Sequence, residues 1–178
     1  MKSKLRKVLF FIARIKIMGV FVGFVIAHFP SLLPVTNVAV NKNAVSFNHP
    51  VPSYKNHMLI IPRKIVENIF HLTGSDFIYV LQMAAEICAS RDSDYVLLIN
   101  GGRRQDVMQA HFHLFEDESI KIISDKHCVA AALISDKHFW DYFADSLYQL
   151  LNDHNVTTEA FSVIFKFDGS EKVQIYFS

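Results

Sequence analysis

Residues 100–115 read NGGRRQDVMQAHFHLF, and the alternation inside this stretch decides how the rest of the chain is placed. Along an extended strand, Gln105, Val107, Gln109, His111, His113 and Phe115 share one side. Met108, Ala110, Phe112 and Leu114 share the other. The second side is wholly apolar and belongs in a core. The first side carries two carboxamides and two imidazoles, with side chains two apart spaced by ~7 Å, immediately after the loop Asn100-Gly101-Gly102. Amides and imidazoles both donate and accept hydrogen bonds, and backbone N–H groups of a glycine-bearing loop can bind an anion. Arg103 and Arg104 add positive charge beside them. Taken alone, the His-x-His pair leaves three readings open: a half-buried structural pair, phosphate chemistry, or a metal ion shared with His57. No Asp, Glu or Cys on the same strand face completes a ligand set, and neither a metal nor a cofactor is expected.

Working outward, Tyr95–Ile99 reads as a strand leading into the glycine loop, and the spacing of Phe77, Val80, Leu81, Ala84, Ile87 and Cys88 predicts a helix to about Ser90. Thr73 and Asp76 form a capping-box pattern at its start. Upstream, His57-Met58-Leu59-Ile60-Ile61 reads as a buried strand closed by Pro62, and Pro50 and Pro52 bar the segment before it from a central strand. Val35–Val40 and Ala44–Asn48 are short strands around the turn Asn41-Lys42-Asn43. Downstream, a helix around Phe139–Leu151 precedes strands at Phe161–Phe167 and Val173–Phe177, joined at Asp168-Gly169. This helix–strand–turn–strand order repeats that of residues 76–115.

The chain has 178 residues, of which 51% are hydrophobic, enough to bury a core and too apolar for a disordered segment. Its two cysteines, Cys88 and Cys128, do not make a disulfide framework. The net charge of +1 conceals an asymmetry: residues 1–66 hold 10 Lys/Arg and no carboxylate, while the remainder holds 8 Lys/Arg against 17 Asp/Glu. An anionic partner follows, either phosphates or a lipid surface. Residues 1–29 are basic and then apolar, interrupted by Arg14 and Lys16, which suits a packed helix or one lying on a membrane surface better than a span.

The ordered set Phe47-Asn48-His49-Pro50-x-Pro52, His57-Met58-Leu59-Ile60-Ile61-Pro62-Arg63-Lys64, a helix, Asn100-Gly101-Gly102 and Gln105-x-Val107-x-Gln109-x-His111-x-His113 resembles the histidine triad (HIT) superfamily over residues 35–115. The resemblance implies an α+β fold: a HIT-like antiparallel sheet with one long packed helix. To this the chain adds an apolar N-terminal helix and a C-terminal helix–hairpin extension. Residues 1–30, 31–116 and 117–178 would be the N-terminal helix, the HIT-like core and the extension. The family's activity implies a nucleotide hydrolase or nucleotidyltransferase. His111 would attack the α-phosphate, with His113 and Gln105 completing the catalytic set. Asn100, Gly101, Gly102, His57, Gln109 and His49 would bind substrate. It further implies a nucleotide or nucleotide conjugate as ligand rather than a nucleic acid polymer, a homodimer, and a cytoplasmic protein with possible contact to a membrane surface through residues 1–29. A phosphate-binding module without turnover and a His-ligated metal protein are the alternatives. Three positions depart from the family pattern. Gln109 replaces the first histidine, His49 falls where Hint-like members place a ribose-binding carboxylate, and Pro62-Arg63-Lys64-Ile65 lacks a further histidine.

Overall fold

The structure, a computed structural model, describes residues 24–25, 28–29, 35–91, 94–105, 107–116, 126–168 and 171–178. Apart from those first four positions, the N-terminal helix expected over residues 1–30 lies outside the described residues, as does Gly169 of the expected hairpin turn.

Two short strands open the sheet, Ala39–Val40 (β1) and Ala44–Asn48 (β2). The Asn41 side chain accepts from the backbone N–H groups of Asn43 and Ala44 and shapes the turn between them. Strand β3, Met58–Pro62, takes in the proline expected to close it. Pro62 stands opposite Ala44 at the strand's last position, where its missing N–H costs least. A short 3-10 helix, Ile69–His71, leads to helix α1, Gly74–Ala89. The capping box forms as the sequence implies: Thr73 Oγ1 accepts from the Asp76 N–H, and Asp76 Oδ2 accepts from the Thr73 N–H at 2.8 Å. Strand β4, Tyr95–Gly102, and strand β5, Phe112–Glu116, follow. Then come β6, Ala130–Leu133, which the sequence does not reveal, helix α2, Lys137–Asp153, and strands β7, Ala160–Asp168, and β8, Lys172–Phe177. Asp136 caps α2 by accepting from the Phe139 N–H, and the fully buried Trp140 donates its indole N–H to the Leu133 carbonyl.

All eight strands form one antiparallel sheet in the order β1-β2-β3-β5-β4-β7-β8-β6. Outward from the β4–β7 ladder the order is β5, β3 on one side and β8, β6 on the other. The two helix–strand–strand runs, α1–β4–β5 and α2–β7–β8, therefore flank that ladder in matching positions, and α1 packs on α2. Both helices cover one sheet face, where Leu97, Ile99, Phe112, Leu114, Phe161 and Phe165 meet Phe77, Trp140 and Phe143. The opposite face is apolar too, with Val96, Leu98, Phe115 and Ile164 beside Val45, Phe47 and Ile61. Burial on both faces explains why Tyr95–Ile99 reads as an unbroken apolar run. Among the described residues no helix is long and apolar enough to cross a membrane.

The end of β4 is closely packed against β7. A Cβ on Gly101 would collide with the Phe161 ring, and Gly102 adopts φ +59 against the backbone of Thr158 and Glu159. Gly101→Ala therefore forces the buried Phe161 ring out of its place, and we expect a loss of ~1–3 kcal/mol in chemical denaturation, the usual cost of overpacking. A stability equal to wild type would show that Phe161 has room to yield.

Candidate active site

The ladders that hold β5 stop at Phe112. The strand expected over Gln105–Phe115 is thus a strand only from Phe112, and Gln105, Val107, Gln109 and His111 do not share one pleated face. Gln109 is the physical reason. Its side chain is 1% exposed and is spent on the backbone of residues 62–66. Oε1 accepts from the Val66 N–H at 3.3 Å, and Nε2 donates to the carbonyls of Lys64 at 3.2 Å and Pro62 at 3.5 Å. The Ala110 N–H adds a bond to the Val66 carbonyl at 2.7 Å. These contacts tie residues 109 and 110 to the end of β3 and the segment after it through side-chain and loop bonds in place of a regular ladder.

What the strand end does bring together is a cluster of imidazoles. His113 lies on β5 between Leu59 of β3 and Leu98 of β4. His57, just before β3, places Nε2 2.9 Å from His113 Nδ1. His49 stacks on His57, with ring centroids 4.1 Å apart and planes within 9°. The His111 ring stands edge-on to His113 at 5.0 Å. The turn that carries His57 is anchored from below: the buried Glu116 carboxylate accepts from Lys55 at 2.5 Å and from the Asn56 side chain, and Asn56 takes φ +51. The Lys55 hydrogen bond holds the Glu116 carboxyl below its usual range. Tyr54 then stacks on Phe115 and meets the His57 ring edge-on.

The proton positions follow from the partners. A backbone amide can only donate, and the Ser53 N–H points at His57 Nδ1 at 3.3 Å. Neutral His57 accordingly carries its proton on Nε2 and gives it to His113 Nδ1, which leaves the His113 proton on Nε2. A carbonyl can only accept, so His111 Nδ1, 2.8 Å from the Gln109 oxygen, is an N–H and the basic lone pair of His111 is on Nε2. Burial, and then the neighbouring imidazoles His49 and His111, push His57 down to about 4. Burial, and then His111, His57 and His49, push His113 down to about 2. Both rings are neutral at pH 7.

The remaining expected residues gather nearby in a different way. Gln105 donates Nε2 to the carbonyls of Glu67 at 2.6 Å and Val107 at 2.7 Å, so it braces a loop instead of standing on the histidine face. With Glu67, Phe70, Gly101, Gly102 and Thr158 it lines a cavity of about 450 Å³ at the end of β4. Asn100 is bonded to Ser162 of β7. Arg103 pairs with Glu159 at the surface, whereas Arg104 bonds Ser162 and the Ser178 carbonyl. Nothing in the sequence around Ser162 signals this link, which only the β4–β7 register creates. The nitrogen atoms of His49, His57 and His113 all lie within 4.8 Å of one another, a spacing compatible with a metal ion. Against that, His57 and His113 already share a hydrogen bond through their facing nitrogens.

The sheet thus ends in packed imidazoles close to the glycines that finish β4. Residues 33–120 match the HIT domain family, and the chain belongs to the histidine triad superfamily. Among solved structures, the chain is similar to yeast Ap4A phosphorylase in complex with AMP at 12% identity and a TM-score of 0.54, over 87% of this chain and 63% of that one. It is similar to the same enzyme in complex with Ap4A at 10% identity and a TM-score of 0.50, over 92% and 81% of the two chains. A HIT-like protein is 26% identical over 52% of this chain and 94% of its own, with a TM-score of 0.37. At these levels the phosphorylase likeness establishes a shared fold. No curated protein matches the chain significantly.

Two outcomes follow from this geometry. Gln109→Leu strips partners from the Val66 N–H and the Lys64 carbonyl in a buried setting, and should cost ~1–3 kcal/mol in denaturant unfolding. Stability within error of wild type would mean that those groups find other partners. For pH, the unfolded imidazoles titrate near 6.5, whereas folded His57 accepts a proton only near 4 and His113 only near 2. Below pH 6.5 the unfolded chain binds more protons than the folded one, so stability is full above that pH and is lost progressively on acidification. Melting temperatures taken from about pH 7.5 to about pH 4.5 should fall, and less steeply in His57→Gln than in wild type. Equal slopes would contradict the neutral assignment.

Proposed function

We propose that the protein is a nucleotide hydrolase or nucleotidyltransferase that acts on the α-phosphate of a nucleotide conjugate through a covalent nucleotidyl-His111. The observation that carries this reading is the Gln109 carbonyl on His111 Nδ1, which fixes the tautomer of a nucleophile with its lone pair on Nε2. In the first step Nε2 forms a bond to phosphorus as the bond to the leaving group breaks with its electron pair. The positive charge on the ring is stabilised by the Nδ1–H···O bond to Gln109. In the second step the oxygen of water or another acceptor hydroxyl attacks phosphorus and releases its proton to solvent. The P–N bond breaks, and neutral His111 is regenerated.

His113, neutral and with its proton on Nε2, serves as a hydrogen-bond donor to a phosphoryl oxygen, and His57 holds it in that tautomer. Gln109 contributes its backbone carbonyl, so no proton is relayed through its side chain. Asn100, Gly101, Gly102 and Gln105 bound the phosphate and leaving-group side, and His49 the opposite side of the cluster. The AMP and Ap4A named in the similar phosphorylase structures are of the ligand class that this reading requires. A homodimer, implied by the family, would have to use the outer strands or the layer faces, because β4 is paired on both edges within the chain.

A second reading has one observation in its favour, the spacing of His49, His57 and His113. It requires His57 and His113 to give up their mutual hydrogen bond, and elemental analysis of purified protein decides it: a stoichiometric transition metal lost in His113→Ala supports a metal protein.

The catalytic reading is tested by incubating the protein with nucleoside phosphoramidates and dinucleoside polyphosphates and recording intact mass at short times together with released monophosphate. Wild type should show a transient gain of one nucleotidyl group, or monophosphate release where the second step is fast. His111→Ala should lose turnover by at least ~10³-fold while still binding AMP. Retention of turnover in His111→Ala would exclude the covalent mechanism, and binding without turnover in wild type would favour a binding module.

A further inference from the structure

One row of polar side chains crosses the sheet at the end where its ladders stop. Leu98 pairs with His113 and Ile99 with Phe112, and Asn100 and His111 are the residues that follow this last pair on the two chain segments. On its other edge Asn100 pairs with Ser162. Ser162 in turn exchanges backbone bonds with Ser178, at 2.6 Å and 2.9 Å. Asn100, Ser162 and Ser178 thus stand in order across the sheet, neighbours ~4.8 Å apart, on the face that carries His113.

The side chains are linked in one direction. A guanidinium can only donate, and Arg104 Nη1 donates to Ser162 Oγ at 3.1 Å and to the Ser178 carbonyl at 3.0 Å. Ser162, 4% exposed, receives this on a lone pair and turns its own hydroxyl proton to Asn100 Oδ1 at 2.7 Å. The two ends of a carboxamide are nearly isosteric, so an asparagine with no such partner can present either oxygen or nitrogen to a ligand. Here the Ser162 hydroxyl proton given to Oδ1 selects one orientation: oxygen lies toward β7, which leaves Nδ2 for a ligand.

We propose that Ser162 and Arg104 are positioning residues of the active site, which lock the Asn100 carboxamide with its N–H groups presented to a phosphoryl oxygen held at His111. The ligand class is an anionic phosphoryl group. A carboxamide turned the other way would set an oxygen against that charge. Residues of the C-terminal half then act on the reaction through Asn100 without touching substrate. The inference rests on the nucleotide reading above for its consequence, but the orientation itself is a property of the ligand-free protein.

Two measurements test it, the first with wild type, Ser162→Ala, Ser162→Thr, Asn100→Ala and the Ser162→Ala/Asn100→Ala double variant. In titration calorimetry with AMP, Ser162→Ala should weaken binding by roughly 10-fold, as loss of a supporting hydrogen bond commonly does. Ser162→Thr, which keeps the hydroxyl, should recover most of it. The double variant should bind no more weakly than Asn100→Ala, because Ser162 acts only through Asn100. Losses that add in the double variant would overturn the proposal, since a general structural effect of Ser162 would be additive. The second measurement is the side-chain NH₂ resonance pair of Asn100 in ligand-free, ¹⁵N-labelled protein. It should shift or broaden in Ser162→Ala and in Arg104→Gln, and an unchanged pair would overturn the proposal. Should wild type fail to bind AMP, the nucleotide reading falls, and the resonance pair still decides the orientation.

Discussion

The antiparallel ladder between β4 and β7 is the constraint on which the rest of the molecule depends. It pairs Val96 with Lys166 and runs to Gly102 opposite Ala160, so the two helix–strand–strand runs become parts of one sheet and one core. The ladder brings α1 against α2 closely enough that a Cβ on Gly74 would meet Asp141. It also seats Phe161 beneath the glycines that follow Asn100. Neither half could bury Phe77, Trp140 and Phe165 against one another alone. The C-terminal half is therefore required for the same core that supports the histidines.

The site is built where that regular pairing ends. Up to Phe112, β5 is tied on both edges and its side chains alternate strictly. At the next residues toward the N-terminus the Gln109 carboxamide replaces ladder bonds with side-chain bonds to residues 62–66. The exchange frees the chain to turn while satisfying its buried polar groups, as a dry interior demands. It also leaves the Gln109 backbone carbonyl pointed at His111 Nδ1. A histidine at position 109 offers one donor and one acceptor in its neutral form, whereas the carboxamide offers two donors and an acceptor with two lone pairs. Glutamine is thus a residue that holds this loop well, and its inability to titrate is compatible with a role carried by its main chain.

Much of this was legible in the sequence, and the misses have identifiable causes. The capping pair Thr73 and Asp76 fixed the start of α1, and the alternation of Phe112, His113, Leu114 and Phe115 fixed which face of β5 enters the core. The same alternation continues through Gln105–His111, where it misleads. Period two is a property of side-chain chemistry, and it does not report whether partners lie on either edge. Strand β6, Ala130–Leu133, is short and rich in alanine, with little β preference of its own; pairing with β8 alone makes it a strand. Asp136 gains a meaning only from structure, as the cap of α2. Ser162 could not have been found, because its part depends on a partner 62 residues away.

The electrostatics of the cluster tie these features together. Four imidazoles within ring contact would repel if charged, and a partly buried site solvates them poorly. The fold assigns three of the protons through main-chain groups, the Ser53 N–H at His57, the Val51 N–H at His49 Nδ1 and the Gln109 carbonyl at His111, and the fourth through His57, which donates to His113. Main-chain dipoles stay fixed while the pH changes and need no counter-charge. The carboxylate of Glu116 is kept apart, below the turn, where it engages Lys55 and Asn56. On the proposed reading, an anionic phosphoryl group would meet N–H donors whose positions the fold has already set. The field favouring negative charge would then be present before the ligand arrives, leaving little reorganisation for the proposed reaction.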